Sequence, residues 1–346
     1  MKLMNKRIGR IFAGLFLVLD IALIAFAIYM IVTHEETLPA GSAVPYPAVT
    51  SVTTVDPAPQ TTKTVVHASK TDDTKTVDAS ITCPNVLLIS VERGTVLAER
   101  GSDTRIYPAS LTKLMTLLLA VEAGIPETQT FTFTEAMLEP LRAAGASCAG
   151  FQAGETVTYR DLLYGCVLPS GADATSALAE MVAGSEAAFA ERMNARAAEL
   201  GMAGTHFVNA SGLHDDNHYS TLLDLALLLE YTERNSACHT LLSTYQYTTT
   251  KTVQNPDGIT LVSSALSRLE GNVAPTVDVV GGKTGFTAAA GNCLASFAEN
   301  EDGMYIAVVA GGEKRMTPIY DTIALYASYV PMPQNRVVTT AAVTSQ

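Results

Sequence analysis

Three short patterns occur in order along the 346-residue chain, and a fold that makes chemistry of them must bring them together: Ser110-Leu-Thr-Lys113, Ser170-Gly-Ala172 and Lys283-Thr-Gly285. The first two begin 60 residues apart and the third 113 further on. A serine hydroxyl is a poor nucleophile until a base takes its proton, and three positions along a helix is the spacing that sets a second side chain beside it. Lys113 is that side chain. To act as a base it must be neutral part of the time, which needs burial or a neighbouring cation, and Lys283 is the candidate cation. Lys-Thr pairs recur at Lys63, Lys70, Lys75, Lys251 and Lys283, yet only Lys283 is followed by glycine, with Gly281-Gly282 before it in a strand-like run.

The formal charge is −12, and residues 1 to 32 carry +3 (Lys2, Lys6, Arg7 and Arg10 against Asp20), so −15 remains for the rest. An excess that acidic repels polyphosphate, which argues against a nucleic-acid partner. From Ile11 to Val32 the chain runs 22 residues with Asp20 as its only charge, and four Lys/Arg precede it. This predicts a membrane span (11–32) with a cytoplasmic basic end (1–10). Asp20 costs roughly 2.5 to 3.5 kcal/mol mid-span, while each apolar residue returns about 0.3 to 0.6, so insertion prevails. A cleaved signal peptide is the competing reading; either way everything after Val32 is exported, anchored at the cell membrane or, if cleaved, secreted.

Residues 33–81 hold eleven Thr and five Pro without apolar periodicity. The expectation is a disordered tether, on the order of 40 Å across as a random coil and roughly 160 Å extended. The five cysteines, Cys83, Cys148, Cys166, Cys238 and Cys293, lack C-x-x-C spacing. They read mostly as buried small hydrophobes, although an exported domain is able to oxidise one or two pairs.

A catalytic domain is expected over 82–330, followed by a disordered tail, 331–346. Val86 to Val91 and Val96 to Ala98 flank a turn and predict a hairpin. Residues 110 to 123 are good helix formers closed by Gly124. From about 126 to 239 the pattern is helical: Tyr159–Val167, Ala172–Val182, Glu186–Leu200 closed by Gly201, and Thr221–Glu233 with Ser220 as its cap. Strands return after Thr248, with Val277–Val280 leading into Lys283, then Cys293–Ala298 and Met304–Ala310, and Pro318–Tyr329 is a final amphipathic helix. The fold class is therefore α/β (α+β): a mainly antiparallel sheet from about 82–125 and 240–330, flanked by helices, with an all-helical insertion and the active site between the two parts.

Longer motifs carry a resemblance: Tyr107-Pro-Ala-Ser-Leu-Thr-Lys113, Leu168-Pro-Ser-Gly171, Asn209-Ala-Ser-Gly-Leu213, His218-Tyr-Ser-Thr221 with Asp224, and Gly282-Lys-Thr-Gly-Phe-Thr287. Between Asn85 and Val330 the chain resembles the D-alanyl-D-alanine carboxypeptidases of the low-molecular-mass penicillin-binding proteins, which share a β-lactamase/transpeptidase-like fold. The resemblance implies Ser110 as the acylated nucleophile, Lys113 as its base and Ser170 as proton relay to the leaving amine. Lys283 and Thr284 would bind the terminal carboxylate of a peptidoglycan stem peptide. Gly285 would admit the substrate backbone, and the N–H groups of Ser110 and Phe286 would form the oxyanion hole. It implies no metal or organic cofactor, and β-lactam antibiotics as covalent inhibitors. Only 63 residues follow Lys283, too few for the extra C-terminal β-domain and amphipathic anchor of many relatives, so the N-terminal span is expected to anchor the domain.

One position departs from the family pattern. The second motif commonly ends in asparagine, whereas residue 172 is alanine, leaving Asp173 or a water to substitute. That departure keeps open a non-turnover penicillin- or peptidoglycan-binding sensor or scaffold. A class A β-lactamase is the nearer rival enzyme, but no E-x-x-L-N segment lies between Ser170 and Lys283. His214 and His218, four apart, lie in a Gly/Asp/Asn-rich segment without an H-E-x-x-H frame, so His218 reads as fixing the loop ahead of Thr221 rather than as a zinc ligand.

Overall fold

The structure, a computed structural model, describes residues 67–333. The expected basic end, the 11–32 span and most of the tether and tail lie outside these residues. Among the described residues no helix is long and apolar enough to cross a membrane.

A two-residue strand β1 (Lys75–Thr76) precedes the hairpin of β2 (Asn85–Ser90) and β3 (Thr95–Arg100). A 3-10 turn, Ala109–Thr112, runs into α1 (Lys113–Glu122). Next come β4 (Thr130–Thr132), α2 (Glu135–Ala143), β5 (Thr156–Thr158), α3 (Tyr159–Val167), α4 (Ala172–Ala183) and α5 (Glu186–Leu200). They are followed by α6 (Leu222–Arg234), α7 (Ser236–Ser243), β6 (Gln246–Thr248), β7 (Thr260–Val262) and the single turn α8 (Leu266–Leu269). Three ten-residue strands, β8 (Asp278–Thr287), β9 (Gly291–Asn300) and β10 (Gly303–Gly312), and α9 (Thr317–Tyr329) complete the domain.

The main sheet has the order β1-β3-β2-β10-β9-β8 and is antiparallel except for the β1–β3 edge. Its central strands read as unbroken apolar runs because both faces are covered. Successive side chains on a strand point to opposite faces. On β2, Leu87 and Ile89 join a core with Ile306, Val308, Phe297 and the apolar sides of α1 and α6. Val86 and Leu88 join a second core with Tyr305, Ala307, Val309 and the Leu325 and Tyr326 of α9. Each large side chain buried this way stabilises the fold by about 1.5–3 kcal/mol, so α1, with Leu114, Leu117 and Leu118 fully buried, is firmly set beneath the cleft.

Three expectations need correction. Order begins before residue 82: Ser69 bridges Thr95, β1 pairs with β3, and Val77 and Ile81 are buried. Two isolated apolar side chains among threonines and charges make no period, and the pairing partner of β1 is 23 residues away in the sequence (Lys75 with Ala98), so the segment read as tether. The insertion is not all helical either, because β4 and β5 pair with each other, Phe131 opposite Val157. It also contains α2, which carries Pro140 inside it and is started by the Thr134 cap rather than by periodicity. The cap of α6 is Thr221, whose Oγ1 accepts from Asp224 N at 3.1 Å, while Ser220 is occupied in a backbone bridge to Ile106. The five cysteines are all free thiols, four of them buried and Cys148 exposed.

Candidate active site

Ser110 sits on the 3-10 turn, one residue after Ala109, a non-glycine residue held at φ 46°. What forces that backbone is the loop Asn209–Leu213. The Asn209 side-chain oxygen accepts from Gly212 N at 2.7 Å and Ser211 N at 3.2 Å, and its amide donates to Leu213 O at 2.9 Å. Gly212, at φ 80°, then lies so close to the turn that a Cβ there would meet Ala109 O at 1.9 Å. Only glycine fits. The same loop presents Ser211 O to Lys113 Nζ at 2.6 Å, and Lys113 Nζ reaches Ser110 Oγ at 3.0 Å. His218 braces the turn from behind. Val208 N donates to its Nδ1 at 3.1 Å, so its Nε2 carries the proton and donates to Thr112 Oγ1 at 2.7 Å. Burial pushes its pKa down to about 4, which keeps the imidazole neutral.

Ser170 and Lys283 form a second pair from distant parts of the chain. Ser170 lies between α3 and α4 at φ 67°, nine-tenths buried, and Lys283 Nζ donates to its Oγ at 2.8 Å and to Thr284 O at 2.9 Å. Thr284 Oγ1 shares a 2.7 Å hydrogen bond with Ser264 Oγ. Gly285 joins the two halves: a Cβ on it would stand 3.1 Å from Pro108 O and 3.3 Å from Ser110 N, so β8 runs directly against the serine turn. The next residue, Phe286, turns a 62% exposed ring to solvent at that edge.

The Ser110–Lys113 and Ser170–Lys283 pairs are therefore neighbours, with Gly285 of β8 against the serine turn and the Lys113 charge bearing on Lys283. Cys166, wholly buried on α3, feels the charges of both Lys113 and Lys283. Burial lowers the Lys113 pKa to about 8, opposed by Cys166, Asp173 and Cys148. Burial also lowers Lys283 well below the usual lysine range, and here the Lys113 charge is the next cause, followed by Arg268. The expectation that a second cation depresses Lys113 is thus inverted in emphasis: desolvation acts on Lys113, and the cation–cation repulsion falls on Lys283.

Sequence reasoning missed two guanidinium groups. Leu269 of α8 packs with Ile319 and Met316 at the start of α9, so that the Arg315 charge bears on Arg268 and the Arg268 charge on Lys283. Neither forms an ion pair among the described residues, and burial, then the Arg315 charge, lowers the Arg268 pKa. No spacing rule marks them, since the contact that gathers them is apolar packing between segments 50 residues apart. The expected substitution at Ala172 by Asp173 does not occur, because that carboxylate is turned away and fully engaged by backbone N–H groups. His214, exposed, lies edge-on to Tyr107 rather than beside His218 as a ligand pair.

A family profile described as D-alanyl-D-alanine carboxypeptidase matches residues 70–314. The chain is 31% identical over 173 residues to D-alanyl-D-alanine carboxypeptidase DacF of Bacillus subtilis, covering 50% of this chain and 43% of that one. It is 34% identical over 169 residues to a D-alanyl-D-alanine carboxypeptidase of Streptomyces sp. strain K15, covering 47% and 57%. The chain spans about half the length of these relatives. Among solved structures, Streptomyces K15 DD-transpeptidase superposes with a TM-score of 0.64 at 29% identity, covering 71% of this chain and 97% of that one. Penicillin-binding protein 5 of Haemophilus influenzae gives 0.62 at 29% identity, covering 71% and 70%.

Proposed function

The chain belongs to the D-alanyl-D-alanine carboxypeptidase family, and on that premise we propose that it is a penicillin-sensitive serine peptidase that removes the terminal D-alanine from peptidoglycan stem peptides. The observation that carries this reading is the meeting of two serine–lysine pairs, Lys113 with Ser110 at 3.0 Å and Lys283 with Ser170 at 2.8 Å. Neutral Lys113 takes the Ser110 proton as Oγ attacks the scissile carbonyl. The developing oxyanion is held by the N–H groups of Ser110 and Phe286. When the C–N bond breaks, the proton passes by way of Ser170 to the leaving amine and D-alanine departs. Water, deprotonated in turn by Lys113, then hydrolyses the ester. Lys283 and Thr284 supply donors suited to the terminal carboxylate, and Arg268, whose charge bears on Lys283, adds positive potential there.

A penicillin presents a carboxylate and a strained amide to the same groups, so it acylates Ser110. Mass spectrometry after labelling is the test: an adduct on the Ser110 peptide, absent in Ser110→Ala, supports the reading, and an unlabelled wild-type protein refutes it. Ala172 favours one second reading, a sensor that acylates without turnover. Steady release of D-alanine from a D-Ala-D-Ala peptide supports the peptidase, whereas a single stoichiometric acylation supports the sensor. The domain is further proposed to work outside the cell membrane, tethered by residues 11–32. Release of the protein into the detergent-free fraction before those residues are deleted would refute the anchor.

A further inference from the structure

Ala172 is buried and brings no hydrogen-bonding group of its own to the cleft. What lies against it is backbone: Ala172 N donates to Ser147 O at 2.7 Å. A single side chain holds that loop in place. Asp173, fully buried in the first turn of α4, accepts on Oδ1 from Ala149 N at 2.8 Å and from Ala174 N at 2.9 Å. Its Oδ2 accepts from Gly150 N at 3.0 Å and Phe151 N at 3.3 Å. Three consecutive loop amides thus converge on one carboxylate, and no lysine or arginine forms an ion pair with it among the described residues.

The residue that this arrangement serves is Ser170. Its φ of 67° is unfavourable for a residue with a side chain and persists only where the surroundings over-determine it. The following two amides do so, Gly171 N bonding Gly165 O at 2.9 Å and Ala172 N bonding Ser147 O. Gly171 is packed between the same groups: a Cβ on it would meet Asp173 Oδ1 at 2.6 Å and Ala149 N at 2.8 Å. Release the loop, and one of the two bonds that lock Ser170 goes with it.

We propose that Asp173 is a positioning residue of the reaction: by holding the Ala149–Phe151 backbone it keeps Ser147 O on Ala172 and Ser170 in its left-handed conformation, so that a bolted loop rather than a side chain at 172 forms this wall of the cleft. The inference rests on the reading of Ser110 as nucleophile and Lys113 as base. It has a signature that a plain structural anchor lacks. The groups whose charges bear on Lys113 are Asp173 on α4, Cys166 on α3, Cys148 on the loop, Lys283 on β8 and His218 behind the turn. Of these, Asp173 is the carboxylate, and it favours the protonated amine. Removing its charge lets the Lys113 pKa fall further.

The experiment compares full-length wild type in detergent micelles with Asp173→Asn. The variant keeps one acceptor and turns an NH2 toward the loop amides. Acylation by benzylpenicillin is expected to slow by about 100-fold, the loss typical of a small misplacement of a reacting group. The acid limb of kcat/KM should move to lower pH, and exchange of the 147–152 backbone amides should accelerate. Acylation within about threefold of wild type, or an unmoved acid limb, overturns the proposal. Should the variant not fold, hydrogen exchange in wild type decides alone: amides of Ala149, Gly150 and Phe151 slowed by about 100-fold or more support the anchor, and rapid exchange overturns it. Failure of wild type to be acylated at Ser110 would instead strike the proposed function, which the exchange measurement does not touch.

Discussion

The two serine–lysine pairs of the cleft are built in opposite ways. Lys113 reaches Ser110 across three residues of one helical turn, whereas Lys283 reaches Ser170 across 113 residues and from a different layer of the fold. The local pair needs little besides helix geometry, but its serine turn is forced by the Asn209–Leu213 loop. The distant pair exists only because β8 runs against the serine turn at Gly285. The electrostatics differ too. Lys113 stays near the working range because a carboxylate and two thiols oppose its desolvation, while Lys283 has another lysine and an arginine adding to its own. On the proposed mechanism the site divides its labour between an amine that exchanges a proton and one that supplies a fixed donor.

Substituting each lysine tests that division most directly. Lys113→Met removes the base and should slow acylation by about 10⁴-fold, the upper range for general-base loss. Lys283→Met removes one donor and should cost about 10²–10³-fold. Stopped-flow acylation with a chromogenic penicillin measures both, and equal losses would break the contrast. Gly212→Ala comes next, because its Cβ would stand 1.9 Å from Ala109 O. Overpacking and a left-handed backbone together predict a loss of about 3 kcal/mol or more in urea unfolding, so a loss under about 1 would show that the serine turn does not lean on this loop.

The pH profile sharpens the contrast further. Since Lys113 has a pKa near 8 and acts as the neutral amine, log kcat/KM should climb with unit slope and level off above about 8. The sign for stability runs the same way. A lysine depressed in the folded state binds its proton more readily when unfolded, so stability rises as pH passes from about 8 toward the usual lysine range. A flat activity profile across that limb removes Lys113 from the mechanism. The smallest effect is expected at a bond that touches none of the four residues of the two pairs. Tyr247 OH donates to Asp161 Oδ1 at 2.8 Å, tying β6 to the cap of α3. Tyr247→Phe should lower stability by about 1 kcal/mol and leave acylation unchanged; a marked change in acylation would show that the helical part steers the cleft.

Much of the architecture was legible in advance because it follows from short-range rules. The helix 186–200 begins at the Ser185 cap and ends at Gly201, which adopts φ 79°, as its sequence punctuation predicts. The helix 159–167 likewise has its limits set by a Thr158–Asp161 capping box. The cores of the strands 278–287 and 303–312 are read from the short apolar stretches Val277–Val280 and Met304–Ala310. Pairings that depend on a remote partner stayed hidden: β1 borrows its order from β3, and α2 survives an internal proline at Pro140. In the cleft, Ser110, Lys113, Ser170 and Lys283 could be named from motif order. The work of Gly212 and Asp173 could not, since each acts on backbone from another segment, and Asn209 matters only because the loop it folds carries Gly212 to that contact.

The sequence by itself determined the candidate reacting groups, their order and the local turn that joins Ser110 to Lys113, because covalent spacing and helix periodicity suffice for contacts within one turn. Tertiary structure alone decided which face of β8 meets that turn, how far each lysine is desolvated, and what stands at Ala172. Those outcomes depend on dielectric and on distances between segments tens to hundreds of residues apart, and neither quantity is written in the order of the residues.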